Sequence, residues 1–128
     1  MEYVKRDVAK TGKWYVDGAS YSTDEVDTGL TWIDGKKLYQ KSFDISEITS
    51  SYTNLVDITD LGIDTVVALN PIAKGTVSSY IGNFYESSSR YLDVFVTMAD
   101  EHRVIRGRLQ LPNGELVSAV VTIVYTKE

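Results

Sequence analysis

The sequence predicts an all-β fold: an antiparallel β-sandwich, jelly-roll-like, preceded by an extended N-terminal arm. Apolar and polar residues alternate in short runs between residues 37 and 125. Turn residues part these runs at intervals of roughly ten to fourteen residues, the spacing of a sandwich or barrel. No segment between runs is long enough for the helical crossover that parallel pairing needs, so the strands pair antiparallel.

Residues 1–36 are polar and show no sustained period, with Gly12, Gly18, Gly29 and Gly35 breaking them at short intervals. They read as an arm or clasp, and residues 37–128 as the sandwich domain. Residues 38–45 form the first core strand, with Leu38 set apart from an odd-numbered apolar row at 39, 43 and 45. Residues 44–48 admit a single helical turn capped by Asp44 or Ser46, the only helix signal in the chain. Residues 66–69 form a strand that Pro71, lacking a ladder donor, ends or confines to an edge. Strands follow over 76–81 and 90–98, linked through Gly82-Asn83 and the polar run 86–89. The last pair, 104–111 and 116–125, is joined by Pro112-Asn113-Gly114, where Pro fixes one corner and Asn-Gly tolerates positive φ at the next. Residues 120–125 are apolar or β-branched on both faces, which predicts a strand covered on both sides, by the second sheet or by a neighbouring subunit.

A chain of 128 residues builds one core without a disulfide or a metal. With no cysteine, thiolate catalysis, iron–sulfur clusters and Cys-based zinc sites are excluded. The 18 acidic against 13 basic residues, net −5, repel phosphate backbones and anionic lipid, so nucleic acid is not an expected partner. The N-terminal residues carry Lys5, Arg6, Lys10 and Lys13 but no apolar stretch of signal-peptide length, and no run approaches a membrane span. Export by the general secretory route is therefore not expected, nor is membrane insertion.

Chemistry-bearing patterns are sparse. Asp57, Asp60 and Asp64 lie close together but lack the glycine and the twelfth-position Glu of a calcium loop, and read as solvated turn acids, as do Asp24, Glu25 and Asp27. His102 is the single histidine, between two strands. Nucleophile elbow, Walker, dinucleotide and zincin patterns are all missing, so no catalytic residue, metal or cofactor is expected. The aromatics say more. The chain has nine tyrosines to three phenylalanines, and Trp14-Tyr15, Tyr80, Phe84-Tyr85 and Tyr91 surround Gly- and Ser-rich stretches. A half-exposed Tyr offers a flat apolar face with a polar tip, which suits the C–H face of a sugar ring, although Tyr is also simply a good strand residue. Asn83, Glu86 and Arg90 supply hydroxyl partners, making Tyr80, Asn83, Tyr85, Arg90 and Tyr91 candidate glycan contacts, with His102 and Arg103 as additions.

Four segments in order resemble a known pattern. Tyr21-Ser22-Thr23-Asp24-Glu25, then Thr31-Trp32-Ile33-Asp34-Gly35-Lys36-Lys37-Leu38-Tyr39-Gln40-Lys41, Gly62-Ile63-Asp64-Thr65-Val66-Val67, and Val121-Thr122-Ile123-Val124-Tyr125-Thr126-Lys127 span about residues 21–127. Together they resemble the C-terminal domain of tail-fibre and baseplate receptor-binding proteins of tailed phages and prophages of Gram-positive bacteria. Lys37 stands where that family usually has Pro, and residues 70–103 match nothing in it. The resemblance implies a virion tail protein made in a bacterial cytoplasm, forming a homotrimer with other tail or baseplate proteins as neighbours. It implies non-catalytic adhesion to a host cell-wall polysaccharide or teichoic acid. The alternatives are a purely structural trimeric assembly domain and a glycan hydrolase. Within the motif, Asp34-Gly35 is a turn pair, Trp32 and Ile33 an apolar anchor before it, and Leu38 with Tyr39 the start of the core strand after it.

Overall fold

The computed structural model describes residues 22–112 and 115–128. Most of the arm expected over 1–36, with Trp14 and Tyr15, and the Asn113-Gly114 corner lie outside the described residues. Within them run nine strands: β1 (Val26–Thr31), β2 (Lys37–Asp44), β3 (Thr53–Asp57), β4 (Ile63–Gly75), β5 (Ser79–Ile81), β6 (Phe84–Ser87), β7 (Arg90–Ala99), β8 (His102–Gln110) and β9 (Leu116–Lys127). The strands form two antiparallel sheets, β1-β2-β9-β4-β5 and β3-β8-β7-β6, and the fold is an all-β sandwich. In the four-stranded sheet β6, β7 and β8 are a meander and β3 lies beside β8, which is a Greek-key order. Helical structure among these residues is one 3-10 turn, Thr59–Leu61; residues 44–48 make a tight turn closed by Ile48 N–H to Ile45 O, with Asp44 Oδ1 accepting from Ser46 N–H.

The chain divides into two compact units. One holds the described residues up to Ser42 with Gly62–Ala68 and Thr122–Glu128; the other holds Phe43–Leu61 and Leu69–Val121.

The second unit has an apolar core: Ile45, Ile48, Ile58, Ala73, Leu92, Val94, Ile105, Leu109, Leu111, Ala119 and Val121 are all buried. β7 and β8 pair without interruption from Tyr91↔Gln110 to Ala99↔His102 and turn through Asp100 and Glu101, both at positive φ (51° and 68°). His102 thus begins a strand. Gly107 allows this closeness, because a Cβ there would lie 2.6 Å from the Asp93 carbonyl oxygen on β7. β4 runs straight through Pro71, so the strand end expected there does not occur. Pro71 O accepts from Gly82 N–H at 2.8 Å, and Gly82, at φ +85°, turns the chain away beyond β5. The donor that Pro71 lacks would face that departing end, where a strand tolerates its loss.

The first unit is held differently. All five buried polar side chains among the described residues lie in it: Thr28, Gln40, Ser42, Thr122 and Thr126. Buried hydroxyls must be paired, and these are. Thr28 Oγ1 donates to Leu38 O at 2.9 Å, the Ser42 and Thr122 hydroxyls meet at 2.7 Å, and Thr126 Oγ1 accepts from Thr65 N–H at 3.2 Å. The buried row of β2 is therefore 38, 40 and 42, whereas Tyr39 and Phe43 of the expected odd-numbered row are only half-buried. On β9 Val121, Thr122, Ile123, Tyr125 and Thr126 are buried and Val124 half-buried, whereas Val120, at the head of the run expected to be covered on both sides, is 37% exposed.

One carboxylate ties the segment before β1 to the end of β9. Glu25 accepts from the Tyr125 hydroxyl at 2.5 Å and from Lys127 Nζ at 2.7 Å. Tyr125 is fully buried against Tyr39 (centroids 6.2 Å apart), and Lys127 Nζ stands 4.9 Å from the centroid of the Tyr39 ring. Desolvation raises the Glu25 pKa, but the hydrogen bonds from Lys127 and Tyr125 outweigh it, and the carboxyl sits below its ordinary 4.5. Burial and the adjacent carboxylate push the Tyr125 hydroxyl up, keeping it a donor. A depressed carboxyl stabilises the fold above its unfolded pKa and loses that contribution as pH falls through the folded value. Stability should drop below about pH 4.5, and drop less steeply in Glu25→Gln. Tyr125→Phe should cost about 1.5–3 kcal/mol in urea denaturation at pH 7, the range for a hydrogen bond to a charged group. A loss under about 0.5 kcal/mol, the size of a neutral surface change, would contradict this role.

Candidate functional site

The site lies in the second unit, on the face of β3-β8-β7-β6 turned away from its core. Alternation sets Leu92 and Val94 inward, so Tyr91, Asp93 and Phe95 take the other face, with register partners Gln110, Arg108 and Arg106 on β8. β6 adds Tyr85 opposite Tyr91. Tyr52, preceding β3, lies over the same face through its contacts with Phe95 and Arg108.

These side chains form a row. The rings of Tyr85 and Tyr91 stack at 5.8 Å with planes 19° apart. The Arg108 guanidinium lies 4.5 Å from the centroid of Tyr91 and 4.5 Å from that of Tyr52, within cation–π range of both rings. Arg106 stands 5.8 Å from the Tyr52 ring, and Phe95 meets that ring edge-on at 6.0 Å. The Tyr52 hydroxyl donates to Asp93 Oδ2. That bond, and the negative charge behind it, raise the Tyr52 pKa and keep the phenol protonated. Tyr91 OH donates to Ser50 O at 3.1 Å. Tyr85 remains 66% exposed, so the ring face not stacked on Tyr91 is open to solvent. Beside the row is a groove of about 400 Å³ lined by Asn83, Phe84, Tyr85, Tyr91, Asp93 and Arg108.

The residues expected as glycan contacts separate into three places. Asn83, Tyr85 and Tyr91 line this groove. Asn83 is held by the backbone, its Nδ2 donating to Val94 O at 2.9 Å and its Oδ1 accepting from Val94 N–H at 2.8 Å, which extends the β6–β7 ladder with a side chain. Tyr80 and Arg90 line a different depression of about 390 Å³ with Thr76, Ser78 and Glu115. There Tyr80 stacks on Phe84 at 5.3 Å and donates to Glu115 Oε2 at 3.0 Å, while Arg90 Nη1 pairs with Glu86 at 3.2 Å. His102 and Arg103 begin β8, six residues from Arg108 and so about 20 Å along the strand. His102 Nδ1 meets Asp57 Oδ2 at 2.8 Å, and Arg103 N–H donates to Thr59 Oγ1. Sequence reasoning missed Tyr52, Asp93, Phe95, Arg106 and Arg108.

Carboxylates elsewhere have structural partners. Asp27, Asp34, Asp44 and Asp57 each accept, through Oδ1, the N–H two residues on. Thr59 Oγ1 donates to Asp57 Oδ1 at 2.6 Å, so its hydroxyl proton is directed at the carboxylate. Among the described residues no three His, Asp or Glu side chains converge as metal ligands would.

In the turn motif, Asp34 and Gly35 (φ +87°) close a hairpin in which Trp32 N–H donates to Lys36 O and Gly35 N–H to Trp32 O, both at 2.9 Å. Leu38 is buried and Trp32 and Tyr39 half-buried, whereas Ile33 is 91% exposed; only Trp32 of the expected pair packs.

Compared with protein families, curated proteins and solved structures, the chain matches none.

Asn83→Ala removes two hydrogen bonds from the Val94 backbone and should cost about 1–3 kcal/mol in thermal or urea unfolding. An unchanged midpoint would show that Val94 is satisfied without it.

Proposed function

We propose that the chain is a receptor-binding domain of a phage or prophage tail that holds a host cell-surface glycan, without catalysis, on the outer face of its four-stranded sheet. The observation that supports this is the Tyr85–Tyr91–Arg108–Tyr52 row beside an open groove. A sugar ring places its C–H face on an aromatic ring and its hydroxyls on polar neighbours, and Tyr85 with Asp93 and Arg108 offers both. The groove is shallow, which suits weak sites repeated in a homotrimer, where avidity replaces depth. The tail signature supports the reading from the other unit: Glu25, Tyr39, Asp64, Tyr125 and Lys127 come from its four segments, and the first, second and fourth meet at the Glu25 clasp. Lys36 and Asp64, from the second and third, pair at 2.8 Å. The motif residues thus have structural work in this chain, while Asn83, Tyr85, Tyr91 and Asp93 of the candidate glycan surface lie within residues 70–103, which match nothing in the signature.

A second reading, a trimeric assembly domain without ligand, draws on Val77 and Ile81, exposed by 86% and 71% at the β5 edge. Purified cell-wall polysaccharide of a Gram-positive host separates the two. Tyr85→Ala should weaken binding about tenfold, the worth of one aromatic contact, with the unfolding midpoint unchanged. Failure of the intact oligomer to bind any wall fraction would leave the assembly reading.

A further inference from the structure

We infer that the chain carries a second site, apart from the aromatic row, in which His102, oriented by Asp57, acts as the general base for hydrolysis of a carboxylic ester. His102 opens β8 on the sheet face that also bears Arg108, about 20 Å away along the strand. Its Nδ1 meets Asp57 Oδ2 at 2.8 Å, and Asp57 is itself fixed, its Oδ1 accepting from Thr59 Oγ1 at 2.6 Å and from Thr59 N–H at 3.0 Å. Those bonds, the hydroxyl's first, hold the Asp57 carboxyl below its ordinary 3.8 and so ionised at neutral pH. An ionised carboxylate against Nδ1 selects the neutral tautomer that carries its proton there and leaves the Nε2 lone pair for a reaction. The imidazole is more than half exposed, and Nε2 has no partner among the described residues.

The surroundings suit that base. His102 and Asp57 line a groove of about 310 Å³ with Asn54, Ala99, Asp100 and Val104. Asn54 Oδ1 accepts from Arg106 at 2.8 Å, which leaves its Nδ2 to donate to an oxyanion. Ala99 and Val104 supply apolar surface for the carbon chain of an ester. The turn that delivers His102 holds Asp100 and Glu101 at positive φ, a conformation that side chains rarely adopt and that concentrates where placement matters. Beneath it Arg103 N–H donates to Thr59 Oγ1 at 2.9 Å and Ile58 N–H to Arg103 O at 2.8 Å, so base, carboxylate and backbone form one connected corner. With the Thr59 hydroxyl proton directed at Asp57, the nucleophile is water. Nε2 takes a proton from the water as its oxygen bonds to the ester carbonyl carbon. The imidazolium, stabilised by Asp57, returns that proton to the alkoxide as the C–O bond breaks, giving a carboxylic acid and an alcohol. Asp57 has a positioning role and touches no reacting atom.

The full chain is assayed with ethyl dichloroacetate, whose ethoxide is too poor a leaving group for direct attack by an imidazole, beside an equal concentration of free imidazole. The chain should hydrolyse the ester about a hundredfold faster than that control, and more slowly in deuterium oxide because a proton moves in the transition state. His102→Gln should return the rate to the buffer background, and Asp57→Asn should lower it at least about tenfold by releasing the tautomer. Long-range proton–nitrogen NMR of the chain's single histidine reads that tautomer without any substrate. In the neutral imidazole the proton should sit on Nδ1 in the native chain and lose that preference in Asp57→Asn, a change that a loss of stability alone does not produce. A rate no greater than that of free imidazole, or a proton on Nε2 in the native chain, would overturn the assignment. Both results come from the native chain, so a folding defect in either variant does not obscure them, and neither bears on the glycan reading.

Discussion

A single partly buried carboxylate organises the first unit. Glu25 joins the segment ahead of β1 to the last residues of β9 through the Tyr125 phenol and the Lys127 ammonium. Around it buried hydroxyls and an amide, each needing a partner, lie among the apolar Leu38, Ile63 and Ile123, so this unit is specified by hydrogen-bond geometry together with apolar volume. Interactions of that kind tolerate little substitution, because a half-satisfied buried network is worse than none.

The second unit follows the opposite logic. Its core is Ile, Leu, Val and Ala on inner faces, with Gly107 letting β7 and β8 close up. Such a core constrains size and pattern and leaves the outward residues of each strand free to vary. The aromatic and arginine row sits on those outward positions, supported by backbone pairing beneath it and by Asn83 at its margin. A rigid sheet presenting exchangeable side chains is a sound platform for recognition.

β7 and β8 were legible because their period of two reflects burial, β9 because its run is apolar or β-branched on both faces, and β2 and part of β4 were legible as strands from their short apolar runs. β1 and β3 left no such trace, since β1 buries only Thr28 and β3 buries nothing fully; they exist through ladder bonds to β2 and β8. The inward row of β2 was misread because Gln40 and Ser42 look like solvent-facing residues until Thr122 is placed beside Ser42. Within the site, Tyr85 and Tyr91 were legible as neighbours because a short turn joins β6 to β7. Arg106 and Arg108 alternate on β8 as Tyr91, Asp93 and Phe95 do on β7, but only the register shows that they share a face. Tyr52, forty-one residues from Asp93, carried no local signal at all. His102 was overweighted for being the single histidine; its partner is the turn carboxylate Asp57.

The most direct measurement is a backbone-amide NMR titration of the isotopically labelled chain with purified Gram-positive cell-wall polysaccharide. The account predicts shifts concentrated at Tyr52, Asn83 to Tyr85, Tyr91, Asp93 and Arg106 to Arg108, with β1, β2 and the Glu25 clasp unmoved. Shifts confined to β1 and β2, or none at saturating polysaccharide, would contradict it.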